Sequence, residues 1–313
     1  MLKSALVFLM LTASMISAQE DSSSHGDFGM EWQTFITDAP VTAFTVSGKK
    51  LWYITSAGGG LYNTAANSKS TINSFAEIPA IEVAALATDC TGGIWAGSPS
   101  GLAYASNGSS FKMITDKAAA AAAVNTIYPT KSAVWIGTEN GLLKYSNGTW
   151  ESFTTEAGLA GNSVRSITAS EKNVVWVATN KGVSEFDGTA WKTHDMNSGL
   201  SWNDAKVIGY DPRKSEVWVA VGEQDVNCYD GKEWKTFMSI QPEIGSLMID
   251  TQSRVWLGSS QGLVKYNGFE WVYDQKKIGI PATMIGELYR DDNGDMWFGA
   301  ETGILHLDNP YPY

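Results

Sequence analysis

Basic residues, cysteine and long apolar runs are all scarce in this chain, and each scarcity removes a class of function. Lys and Arg total 22 against 33 Asp and Glu, a formal charge of −11. Without a basic surplus there is no patch for a phosphate backbone or an anionic bilayer, so binding to nucleic acid is not expected. No stretch is long and apolar enough to cross a bilayer, so membrane insertion is not expected. The two cysteines, Cys90 and Cys228, fall in different repeats far apart around a ring, and separate thiols are expected there rather than a bridge. Three histidines at unrelated spacings offer no metal cluster. Neither a nucleophile motif nor a phosphate-binding loop is present. No metal, cofactor or catalytic residue is therefore expected, and the balance leans away from an enzyme.

The first residues address the compartment. Lys3 precedes a short apolar run at 5–11, and small residues at 14–18 lead to Gln19, the pattern of a cleaved secretory signal over 1–18. Residues 19–28 are polar and read as a flexible lead-in, which leaves 29–313 as one domain. Export to the periplasm or the exterior is the expectation, and the domain is expected to be a monomer.

What the chain has in abundance is tryptophan, and its spacing carries the fold. Seven of the 13 recur in one context, at Trp52, Trp95, Trp135, Trp176, Trp218, Trp256 and Trp297, separated by 43, 40, 41, 42, 38 and 41 residues. Around them the chain reads VWIGTENGLLKY (134–145), VWVATNKGVSEF (175–186), VWLGSSQGLVKY (255–266) and MWFGAETGILHL (296–307). Each unit resolves into four short strands. A Gly six residues after the Trp (Gly101, Gly141, Gly182, Gly262, Gly303) supplies a positive-φ turn. Asn147-Gly148, Asp187-Gly188, Asp230-Gly231 and Asn267-Gly268 mark the next hairpin. Four antiparallel strands per unit of about 40 residues, without helical periodicity, predict an all-β, seven-bladed β-propeller. The seventh unit stops after its third strand, while GMEWQTF (29–35) matches the fourth-strand segment GKEWKTF (231–237) at five of seven positions. The N-terminal strand is thus expected to complete the last blade and close the ring.

GLAGNSVRSI (158–167) followed by VWVAT (175–179), with DTQSRVWLG (250–258) and DNGDMWFG (292–299), resembles the two-component-regulator propeller repeat, and the resemblance spans residues 29–308. It implies an extracytoplasmic ligand-sensing ring of the kind found in bacterial hybrid histidine kinases that respond to glycans. The sequence carries no kinase or response-regulator segment, so the implied role is a recognition ring, acting alone or with a partner. Seven-bladed streptogramin lyases are similar in outline and rely on a His with a Glu near the axis. Here His194 follows a fourth strand and His306 a third, which weakens that alternative.

Departures from the repeat give the candidate ligand-binding residues. Trp202, between blades 4 and 5, is the one Trp the repeat does not need. It could be a stacking platform or a packing cap. Near the axis, Arg165, Lys206 and Glu287 stand where small residues are the rule, and Asn125 aligns with Arg165. The two cations could hold a carboxylate, sulfate or acidic sugar, or else be ion-paired along a wet channel. The hairpin tips add Glu139, Gln261 and Glu301, and in blade 5 the longer tip adds Glu223 with a possible left-handed Asp225. The ligand expected on this tip face is a glycan or other small polar molecule. A polysaccharide lyase or hydrolase and a protein-binding scaffold are the alternatives. DDNGD (291–295) lacks the twelfth-position Glu of a calcium loop and reads as a hairpin turn.

Overall fold

The computed structural model describes residues 32–36, 39–106, 110–116, 123–237, 240, 243–273, 284–291, 293–301 and 303–308. The expected signal over 1–18 and the lead-in over 19–28 lie outside them.

Seven four-stranded antiparallel sheets form the ring. In each, the Trp strand is the second from the axis and is buried along its length, as in Val134–Thr138, Val175–Thr179 and Val255–Ser259. Both of its faces meet a neighbouring blade, which is why these strands read as unbroken apolar and small residues. The innermost strands contact one another in sequence and return from the seventh blade to the first, so the circle is closed. The closing device is the expected one: Trp32–Ile36 pairs with Gly303–Leu307, with Gln33 opposite His306.

The tip glycines earn their place twice. Gly182 has φ +131°, and a Cβ there would stand 2.5 Å from the carbonyl oxygen of His194 on the fourth strand. Gly141 repeats this with φ +125° and the Phe153 oxygen at 2.5 Å. At the opposite end, an Asp six residues before the Trp holds the first turn. Asp89, Asp250 and Asp291 each accept the indole N–H of their Trp at 2.9–3.2 Å. Asp291 also accepts the backbone N–H groups of Asn293 and Asp295, so its carboxylate is committed to the turn, as the sequence suggests.

Both cysteines are free thiols; Cys228 is buried, and burial pushes its pKa well above the ordinary range. The connection from blade 1 to blade 2 holds a small hairpin, Ser74–Phe75 with Ile78–Pro79, that the repeat does not announce. Its Phe75, Ile78 and Ala80 fill the seam between those blades.

Candidate functional site

Six of the seven inner strands carry a β-bulge near their first residue, where the strand leaves the tip face. The register skips at Thr42, Asn125, Arg165, Lys206 and Gly245, and in blade 7 across Gly286 and Glu287. A bulged residue is released from the ladder and can be re-aimed. Asn125, Arg165 and Lys206 are thus one repeat position in three consecutive blades, at the mouth of the axial channel.

Each of the three reaches an acidic side chain. Asn125 Nδ2 donates to Glu139 Oε1 at 2.7 Å and to the Val164 carbonyl of the next blade at 3.0 Å. Arg165 Nη1 donates to Asp204 Oδ1 at 2.7 Å, and Lys206 Nζ to Glu243 Oε1 at 2.5 Å. Hydrogen bonds from Ser163 and Asn125, with the nearby Arg165 guanidinium, hold the Glu139 carboxyl below its usual range. Lys206 does the same for Glu243. The ion-paired arrangement is therefore the one present. Arg165 and Lys206 each face a partly exposed carboxylate in this arrangement.

Trp202 and the odd tip of blade 5 turn out to be one feature. The connections 154–163 and 195–204 are built alike. Each begins with a capped 3₁₀ turn, Thr155–Ala157 or Met196–Ser198, and ends with an Asn (Asn162, Asn203) accepting from that turn's first N–H at 2.8 Å. In this register Trp202 stands where the earlier connection has Gly161. A Cβ on Gly161 would lie 2.5 Å from Asn180 Oδ1 on the blade-4 tip, so a larger residue there requires that side chain to move aside. Blade 5 has Gly222 in place of Asn180, and Gly222 N–H donates to the Asp204 carbonyl just as Asn180 N–H donates to Ser163. A Cβ on Gly222 would meet the Trp202 ring at 2.9 Å. The indole thus lies on a bare backbone that the three-residue turn at 222–224 provides, and the residue is 55% exposed. It is Gly222, at φ +59°, that takes the left-handed conformation; Asp225 is a buried strand residue. The fully buried Asn227 fastens this loop by accepting from both the N–H and the hydroxyl of Ser201. Glu223 is exposed on the same tip.

The remaining candidates are not gathered with these. Gln261 and Glu301 are exposed on the tips of blades 6 and 7. Glu287 lies across the ring, one position past the bulge glycine, in the slot of Ser166. Ser166 accepts the N–H of Ile208 in the next blade at 3.2 Å; Glu287 Oε2 accepts the N–H of Phe44 in blade 1 at 2.8 Å. Glu287 is therefore an inter-blade clamp at the closing seam. Water reaches part of the side chain, yet protein surrounds it, and burial pushes the carboxyl up to about 8 against the backbone bond that favours its charge.

The described histidines sit away from the axis. His194 is 2% exposed and satisfied on both sides: Nε2 pairs with Glu185 at 2.9 Å and Nδ1 accepts from Trp234 Nε1 at 3.2 Å. His306 is 6% exposed and stacks on Trp297 at 3.9 Å. Near its Nε2 stand Asp295 and Asp308, a grouping the sequence spacing conceals.

No known family model matches the chain, and no curated protein matches it. Solved structures do. The extracellular domain of a candidate hybrid two-component system, BT3049 from B. thetaiotaomicron, superposes with TM-score 0.73 at 20% identity, covering 89% of this chain and 41% of that one. Virginiamycin B lyase from Staphylococcus aureus gives 0.69 at 14% identity over 89% and 98%. YCF48 bound to D1 peptide gives 0.67 at 14% over 88% and 96%. These likenesses establish the propeller fold. The chain spans about two fifths of the length of the extracellular domains it matches.

Proposed function

We propose that the ring is an exported, sensor-type recognition domain that binds a neutral, polyhydroxylated ligand of the glycan class on its tip face, over blades 3 to 5. The observation that carries this reading is the paired departure of Trp202 and Gly222 beside the Arg165–Asp204 bond. An aromatic ring, backed by glycine and held by a buried Asn, is a preorganised platform whose free side can stack on a sugar. Along the mouth, Asn125, Glu139, Arg165, Asp204, Lys206 and Glu243 alternate donors with acceptors. Arg165 and Lys206 are each paired with a carboxylate and Glu139 leaves a net charge of −1, a lining that offers hydroxyl groups both kinds of partner and does not attract anions. The solved relatives' role as extracellular domains of signalling systems supports the same reading. A lyase reading lacks its chemistry, since among the described residues no histidine lies on an inner strand.

A protein partner is the second reading. Ile81, Met196 and Met284, all in connections on this face, are large apolar residues left 40–61% exposed. A glycan array run on the wild type and on Trp202→Ala separates the two. Selective retention of neutral oligosaccharides, lost by at least tenfold in the variant, supports the glycan reading. Absence of any glycan retention would refute it.

A further inference from the structure

We infer that Asp295, His306 and Asp308 form a divalent-cation site of zinc type on the closing seam of the ring, on the face opposite the tips. Asp295 precedes the second strand of blade 7, Met296–Ala300. His306 lies on the third, Gly303–Leu307, and Asp308 follows that strand. The hairpin register sets His306 opposite Trp297 and Leu307 opposite Met296, which carries Asp295 and Asp308 to the same end on either side of the imidazole.

Two observations point to a ligand independently. The first is the donor spacing. Nε2 lies 3.5 Å from Asp295 Oδ2 and 3.6 Å from Asp308 Oδ1, and the three donor atoms fall within 4.8 Å of one another. Those separations are too long for hydrogen bonds. Metal–donor bonds of about 2.0–2.2 Å at the tetrahedral angle place neighbouring donors about 3.3–3.6 Å apart. The second is the histidine itself. At 6% exposure it has a hydrogen-bond partner on neither nitrogen. Buried polar atoms are ordinarily satisfied, and an exception calls for an ion or water. His194, at 2% exposure, shows how this fold completes such a ring when a protein partner is intended.

The donor set is one imidazole and two carboxylates, with a fourth position open to water. That suits zinc and similar transition ions rather than magnesium or calcium, which demand oxygen ligands in larger number. The imidazole's ring is fixed by its stack on Trp297, and Phe35 of the N-terminal strand lies 6.4 Å from it. Since Gln33 pairs with His306 across the first and last strands, an ion here tightens the joint that closes the ring.

The test uses the full chain, stripped with chelator, and zinc sulfate as probe. Equilibrium dialysis should find one zinc per chain that Asp308→Asn weakens at least tenfold and His306→Phe abolishes; the Phe keeps the stack. Melting temperature should rise with zinc in the wild type, by mass action, and stay unmoved by magnesium. If the wild type retains no stoichiometric zinc, or if both variants retain zinc as the wild type does, the site does not exist. Asp308 is largely exposed, so Asp308→Asn remains informative even if His306→Phe misfolds.

Discussion

In blades 3 to 5 the inner-strand bulge carries Asn125, Arg165 and Lys206, each bonded to an acidic neighbour. In blades 6 and 7 the same bulge carries Gly245 and Gly286. Neither glycine is imposed by the backbone: neither has a positive φ, and a Cβ would find its nearest atoms at 3.8 Å and 3.4 Å respectively. Blades 3 to 5 thus furnish this position with polar groups while blades 6 and 7 leave it bare, on an otherwise repetitive frame. A difference that sterics do not require is what the proposed recognition surface, with room beside it for a ligand, would produce.

The largest effect expected from disturbing this contrast is at Glu287, the acidic residue beside the blade 7 glycine. Its carboxyl is raised from 4.5 to about 8 in the folded chain. An acid whose folded pKa is raised contributes fully below its unfolded value, and that contribution is lost as pH climbs through the folded value. Glu287→Gln keeps an oxygen for the Phe44 N–H and cannot ionise. The variant should match the wild type at pH 4 and exceed it by on the order of 4 kcal/mol at pH 8.5 in denaturant unfolding. Equal stability at both pH values would show that the carboxyl is not held neutral.

Next comes Gly222→Asn, which restores the blade-4 tip residue at a φ that Asn tolerates. The new side chain displaces the Trp202 ring without touching the core. Glycan affinity should fall at least tenfold, about 1.4 kcal/mol, with little change in melting temperature. Affinity equal to wild type would separate Trp202 from the site. Smaller still are Gly245→Ala and Gly286→Ala. Both should stabilise by about 0.4–1 kcal/mol through the unfolded chain, and destabilisation of either would mean the bare half is structurally required. Last is Lys206→Met, which removes one arm of a partly exposed pair and should cost under about 1 kcal/mol. A larger loss would make Lys206–Glu243 a structural strut.

Much of the fold was legible because it repeats. Trp spacing, the glycine six residues on and the Asn-Gly or Asp-Gly turns specify each blade locally, and the match of 29–35 to 231–237 gives the closure. The partners were not legible, because they come from the connections. Asp204 and Glu243 occupy segments of different length and no common pattern, so nothing in the repeat says which cation each will meet. The hairpin at 74–79 escaped for the same reason. The link between Trp202 and Gly222 was nearly visible: aligning the connections 154–163 and 195–204 sets Trp202 against Gly161. Only the structure shows that the Asn180 side chain crowds that position in blade 4 while Gly222 leaves it open in blade 5. His306, Asp295 and Asp308 are 11 and two residues apart, and an antiparallel register is needed to bring them to one point.

Hydrogen–deuterium exchange of the full chain, with and without the oligosaccharide that the array selects, tests the recognition claim most directly. Protection is expected over 199–206 and 221–224, with no change over 284–288 and 299–304. Protection confined to the blade 7 segments, or to the face opposite the tips, would contradict the placement of the site on the polar half of the mouth.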